Sequence, residues 1–402
     1  MASKKGYEVV RGHLRGPSKR TVQKAFSWYN IVPGIIKPIV SLLKFQQNQE
    51  SWTPEFNLIS MAYDEMKVSC LAELDQRLEC LSGPSDQAFL LTIKGLVKDF
   101  QYPFFTAMDY TLSKDSYQEM IAELYKLDFT VLLTVKDQGS RNQGLVKELN
   151  VTPTSPYSPH PCDPTIKVYF AFDHLHSFKN LASHIRKKET KLPDGQIFTI
   201  DNFKKVLDTR GFFEISVGHH LKEKALVASG QESQRVKHAV NMLSDKTAEL
   251  FESQDPNNQL SLAIAKFLRV CHNAHLVLTS NRWTQNEKKL HSPFGMFLDE
   301  QLSALNEYFW YMERLRFRDP INDKNFRKIQ FQSAALLTIS AIKMLQSDLA
   351  SKFNQPQLLT HWTTQDYLEL TFGIIRGLGG GFCLHPTTLQ FRQRTEQQLI
   401  CI

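Results

Sequence analysis

The sequence predicts an α/β core interrupted by a long helical block, and three observations carry that prediction. Three extended apolar stretches crowd between residues 56 and 110. Two more, separated by helical stretches, follow before residue 173. From about residue 190 onward, strand signals give way to amphipathic helical periodicity. A chain of 402 residues with 42% hydrophobic residues and 27 Phe can pack two or three domains, or one domain with a large insertion.

The first fifty residues are basic and helical in pattern. "GPSKRTVQKAFSWYN" offers Ser18 as a cap and Val22, Phe26 and Trp28 as an apolar face, and "PGIIKPIVSLLKF" continues after a proline break. "FNLISMAY", "AFLLTIKGLV" and "YPFFTAMDY" then read as an antiparallel meander. Ser113 is placed to cap "KDSYQEMIAELYKL", where Met120, Leu124 and Leu127 recur at helical spacing. "FTVLLTV" is a continuous β-branched run of the kind found in buried parallel strands, and it ends at Lys136-Asp137-Gln138-Gly139. A helix over "NQGLVKELN", a strand "KVYFAF" closed by Asp173, and a helix over "SFKNLASHIRKK" complete the series. The order β-β-β-α-β-α-β-α is that of the ribonuclease H-like fold: a mixed five-stranded sheet with flanking helices and acids at the ends of its first and fourth strands.

Amphipathic stretches such as "SQRVKHAVNMLSDKTAELFE" and "LSLAIAKFLRVCHNAHLVL" fill the all-α insertion. The final helix, starting near Thr363 or Thr364, has Leu368, Phe372 and Ile375 on its apolar face and is stopped by Gly377 and Gly379 to Gly381. The expected division is a basic helical region over 1–50, the first part of the core over 51–190, the helical insertion over 191–355, and the C-terminal part of the core over 356–402.

Composition narrows the class. The net charge of +7 is compatible with a nucleic-acid partner. The six cysteines contain no C-x-x-C pair, so a structural zinc site is not expected, and their scatter suits a reducing compartment. No apolar run reaches about 18 residues, so no membrane span is expected.

Asp64 and Asp137 each sit where a buried strand meets a loop. Two-metal phosphodiester chemistry needs hard oxygen ligands converging from distant positions, and Mg²⁺ takes only one or two protein carboxylates. The final helix supplies Asp366 and Glu369, three residues apart on one face, with Gly373 and Arg376 continuing that stripe. Pattern leaves two readings open. A strand-end Asp is commonly a turn residue, the macrodipole favours Asp366 in a first helical turn, and Glu65 and Asp173 are equally acidic and strand-terminal.

Five stretches in order resemble the P-element family of DNA transposases: "AYDEMKV", "LLTIKGLVKDFQYPFF", "VKDQGSRNQGLVKELNVT", "FDHLHSFKNLASHIRK" and "TQDYLELTFGIIRGLGGG...HPTTLQFR". The resemblance implies that Asp64, Asp137 and Glu369 form a D-D-E triad using Mg²⁺ or Mn²⁺. It implies double-stranded DNA (transposon ends and target) as partner, a homo-oligomer, and a nuclear location. It further implies a GTP-binding insertion with Asp366 helping to hold the nucleotide. Two departures stand out. Leu276 and Thr279 occupy the positions of an acid and an amide in "AHLVLTS", which argues against GTP, and no THAP zinc motif precedes residue 50. Lys179 and Arg186, seven apart on one helix face, and Arg376 are candidate DNA contacts. His174 and His176 are candidates for a metal or phosphate, and "RFRDPINDKNFRK" is a basic loop that suits DNA. The leading expectation is a transposase. The other is a catalytically silent, truncated or domesticated derivative acting as a DNA- or protein-binding regulator.

Overall fold

The structure is a computed structural model that describes residues 31–138, 143–208, 221–228, 230–233, 235–254, 256–378 and 383–399. The expected helix around Val22 to Trp28 and the glycines Gly379 to Gly381 lie outside the described residues. The core runs β1 (Gly34–Ile35), α1 (Lys37–Gln49), β2 (Leu58–Lys67), a hairpin of β3 (Glu73–Asp75) and β4 (Cys80–Ser82), β5 (Gln87–Gly95), β6 (Gln101–Met108), α2 (Lys114–Tyr125), β7 (Thr130–Lys136), α3 (Gln143–Glu148), β8 (Tyr157–Pro159), β9 (Lys167–Phe172) and α4 (His174–Lys187).

The five long strands stand in the order β6-β5-β2-β7-β9. The pairs β6–β5 and β5–β2 are antiparallel, and β2–β7 and β7–β9 are parallel. This is the expected ribonuclease H-like sheet. Two very short edge strands, β1 beside β6 and β8 beside β9, extend it to seven. They are two and three residues long, too short to show any periodicity.

Alternation along β2 sends Ile59, Met61 and Tyr63 into one buried cluster and Leu58, Ala62 and Met66 into the other. The first cluster is covered by α1, through Ile39 and Leu43, and by α2, through Met120, Ile121 and Leu124. The start of α2 is fixed as expected, with Ser113 Oγ accepting from Ser116 N. The second cluster runs without a break into the helical block.

That block holds β10 (Glu189–Lys191), β11 (Ile197–Phe198), α5 (Ile200–Asp208), two short helical segments, α6 (Val236–Met242), α7 (Asp245–Gln254), α8 (Gln259–Leu278), α9 (Leu298–Arg314), β12 (Arg316–Arg318) and α10 (Gln330–Lys352). It departs from expectation twice. The stretch read as one helix is two, because Ser244 Oγ accepts from Thr247 N and restarts the chain as α7. The block is also not purely helical: β11, β10 and β12 form a small three-stranded sheet, with the "RFR" of the expected basic loop as one strand.

The insertion is bolted to the core through α10. Thr338 Oγ1 accepts from Phe172 N at 2.8 Å and donates to Phe172 O at 2.9 Å, satisfying both backbone groups at the end of β9. The chain then returns through α11 (Asp366–Gly377) and α12 (Thr388–Leu399). Leu368, Phe372 and Ile375 are buried as expected. No helix among the described residues is long and apolar enough to cross a membrane.

Candidate active site

Parallel pairing puts the first two acids together. Ala62 stands opposite Val135 in the β2–β7 ladder, and Asp64 and Asp137 each follow two residues later. They therefore project to the same face at the same height. Burial pushes the Asp64 carboxyl up to about 7 from the ordinary 3.8, and the charge of Asp137 adds to it. A hydrogen bond from Glu65 N to Asp64 Oδ1, 2.8 Å, and the nearby His176 act the other way. The loop after β7 is fastened to α4: Gln138 Nε2 donates to Ser177 Oγ and Asn180 Nδ2 donates to Gln138 Oε1, both at 2.7 Å.

A different acid places the third. Asp173 caps α4, its Oδ1 accepting from Leu175 N at 2.8 Å and His176 N at 3.4 Å. Its Oδ2 accepts from Gln365 N at 3.1 Å, and Gln365 Nε2 donates to Tyr63 O at 2.9 Å. Gln365 thus ties the start of α11 to both β9 and the residue before Asp64. Glu369 lies one helical turn farther along α11.

Glu369 Oε1 meets His176 Nε2 at 3.0 Å. That bond holds the Glu369 carboxyl below its ordinary value against the opposing effect of burial. Burial lowers the affinity of His176 for a proton, but the bond to Glu369 and the charge of Asp173 outweigh it, and its net shift is upward. The Lys179 charge reaches both members of this pair.

The structure therefore brings Asp64 and Asp137 together directly and brings Glu369 to them through His176. Among the described residues, no group of three or more His, Cys, Asp or Glu side chains is close enough to hold a metal ion. What stands assembled is a carboxylate pair with the third acid held by a histidine.

The remaining candidates divide. The Asp366 carboxyl, raised by burial and by the charge of Asp173, lies 3.8 Å from His361. Thr279 donates its hydroxyl to His275 O at 2.7 Å. Arg186 requires a correction as a DNA contact: its Nε donates to Ala225 O at 2.8 Å, and its terminal nitrogens are buried. A later segment, Glu223–Val227, covers the last turn of α4 there. Arg376 is half-buried with its Nε enclosed. His174 is also corrected. Both its ring nitrogens are buried without a partner, and burial drives it down to about 4, so it faces the interior rather than a ligand. Sequence reasoning did not single out Gln365 or the His176–Glu369 bond. The available signal was that Gln365, His176 and Glu369 all fall inside the stretches that resemble the P-element family.

The comparisons with known proteins bear on the fold of this chain. The family described as TNP-like, RNase H C-terminal domain matches residues 364–393, the segment that carries Asp366 and Glu369. A curated relative, the Transposable element P transposase of Drosophila melanogaster, is 25% identical over 387 residues. That match takes in 96% of this chain and 50% of the relative, so the chain spans about half the length of the relative. The solved structure described as the Drosophila P element transposase strand transfer complex superposes with a TM-score of 0.89 at 24% identity. It covers 100% of this chain and 89% of that one.

Proposed function

From the kinship of this chain with P-element-type transposases, we propose that it is a transposase of that type, cutting DNA and joining the freed 3′-end to a target. The observation that carries the reading is the Asp64–Asp137 pair. Two carboxylates stand side by side, and burial with the charge of Asp137 pushes Asp64 up to about 7. A divalent cation would offset that repulsion, and Mg²⁺ or Mn²⁺ fits a site with one or two protein carboxylates. When bound, such ions polarise the attacking hydroxyl and stabilise the leaving oxygen in an in-line displacement.

The chain's own residues have separable parts in this reading. Asp64, within β2, and Asp137, just past β7, would hold the positive charge on a rigid sheet. Glu369 joins them once it leaves His176. His176, with its raised affinity for a proton, fixes the rotamer of Glu369 until then. Lys179 offsets phosphate charge beside the pair. Asp366 remains a candidate for a nucleotide at the insertion, with Leu276 and Thr279 weakening the case for GTP. A homo-oligomer on double-stranded DNA in the nucleus accords with the same reading.

The test is joining of a pre-cleaved terminal-repeat duplex to a target plasmid in Mn²⁺ by the purified chain. Product is expected, and its persistence in Asp137→Asn would overturn the proposal. Absence of joining by the unaltered chain would favour the silent, regulatory derivative.

A further inference from the structure

The helix α4 links two chemically different places. Its first turn carries His176 beside the acids, and its last residue and cap, Lys187 and Lys188, lead directly into β10. Twelve residue steps along the helix lead from His176 to the cap Lys188, about 18 Å at ~1.5 Å per residue.

The small sheet at that far end is positively charged on its outer side. The register places Lys191 opposite Arg316 and Glu189 opposite Arg318. Between these pairs, Thr190 and Phe317 point inward and are fully buried. Alternation therefore sends three cations and one acid outward. Arg318 pairs with Glu189 at 2.6 Å and Arg327 with Asp323 at 3.0 Å. Lys187, Lys188, Lys191 and Arg316 form no salt bridge within 4 Å among the described residues, although Arg316 Nη1 donates to Glu313 O and Leu315 O and the Lys188 charge reaches Asp319. The ring of Phe326 lies 4.6 Å from the Arg318 guanidinium and 5.8 Å from Lys191 Nζ, holding both heads over one platform. Along α4, between this sheet and the acids, runs a groove of about 400 Å³ lined by Gln138, Asn180, His184, Gln330 and Ser333. It begins at the residue next to Asp137.

We propose that the outer face of β10 and β12 with the end of α4 is a second DNA-backbone surface, gripping duplex DNA about five base pairs from the reacting phosphate. The spacing follows from the helix, since ~18 Å corresponds to about five steps of ~3.4 Å along one strand. A duplex is the fitting occupant because it presents closely spaced phosphates to a cluster in which cations outnumber acids, and counterion release favours that association without base reading. The choice of DNA rests on the transposase reading above. The surface itself does not involve the acids.

The experiment is fluorescence anisotropy with the full chain and a labelled duplex of about 20 base pairs, long enough to span both places. It is run in EDTA, over a range of salt. A variant carrying Lys187→Gln, Lys188→Gln and Lys191→Gln is compared with a control carrying Lys37→Gln, Lys44→Gln and Lys114→Gln on α1 and α2. The patch variant is expected to keep the parental melting temperature. Its slope of log affinity against log salt should shrink by about 3, roughly one for each phosphate no longer neutralised, for any duplex sequence. An unchanged slope overturns the proposal, as does an equal change in the control or a weakening confined to single-stranded DNA. Because no metal is present, failure of the catalytic reading leaves this result standing. Failure of the patch leaves Mn²⁺-dependent joining intact at saturating DNA.

Discussion

The carboxyl ends of β2 and β7 and the carboxyl end of β9 are built from the same materials and have opposite characters. Asp137 and Asp173 each follow a buried strand directly, whereas Asp64, expected at a strand end, lies within β2 opposite Leu90 and just beyond the last β7 pair. At the end of β9, Asp173 accepts from three backbone amides and joins two helices. Where β2 runs past the end of β7, Asp64 has one backbone partner and a like-charged neighbour. An acid whose lone pairs are filled by the protein is scaffold. An acid left short of donors beside another acid is a place for something from outside. The difference lies in partners rather than in residue type.

The sharpest way to break this contrast is to remove one acid of each kind. Asp137→Asn should lower joining on the order of a thousandfold, the scale of losing a preorganised charge at the reacting centre, while unfolding free energy falls little. Asp173→Ala should do the reverse at first sight. It removes a cap and the tie to Gln365, destabilising the fold by about 3 kcal/mol in chemical denaturation. Activity should fall only as Glu369 loses its position.

A pH series sharpens the comparison next. With the folded Asp64 carboxyl at about 7 against the ordinary 3.8, the metal-free native state binds more protons between those values. The stability it contributes is complete below about 3.8 and is lost as pH rises through about 7. Asp64→Asn should therefore exceed the parent in stability by roughly 2 kcal/mol near pH 8 and match it near pH 4, read by thermal melts in EDTA. His174 and His275, pushed down to about 4 and 3 by burial, act oppositely below their ordinary 6.5. They are common to both proteins and cancel. The smallest effect belongs to His176→Gln, which keeps a hydrogen bond to Glu369 without its charge. It should cost about tenfold in joining at limiting Mn²⁺ and recover as the metal is raised.

Much of the fold could be read from the chain because its five long strands are apolar runs and its helices are periodic. The parts that could not be read are short or set by tertiary contacts. β1 and β8 exist only as partners of β6 and β9, and the break at Ser244 depends on one hydroxyl. The same limit held at the site. Pattern alone nominated Asp64, Asp137 and Asp173 on equal terms; the family resemblance singled out the first two, and the ladder register and hydrogen bonds show how differently the three are held. Lys179 and Arg186 occupy equivalent positions on one helix face, yet Arg186 is covered by a segment that follows some forty residues later, its bond to Ala225 spanning 39 positions.

The tie through Gln365 bears on how the molecule is made. Its bonds reach back 192 positions to Asp173 and 302 positions to Tyr63. Contacts of such span close late, after the loop entropy of everything between has been overcome. During synthesis the first two acids can be in place while the third has yet to leave the ribosome. A nascent or truncated chain ending before α11 would hold a folded sheet with an incomplete centre, so the proposed activity would wait for α11.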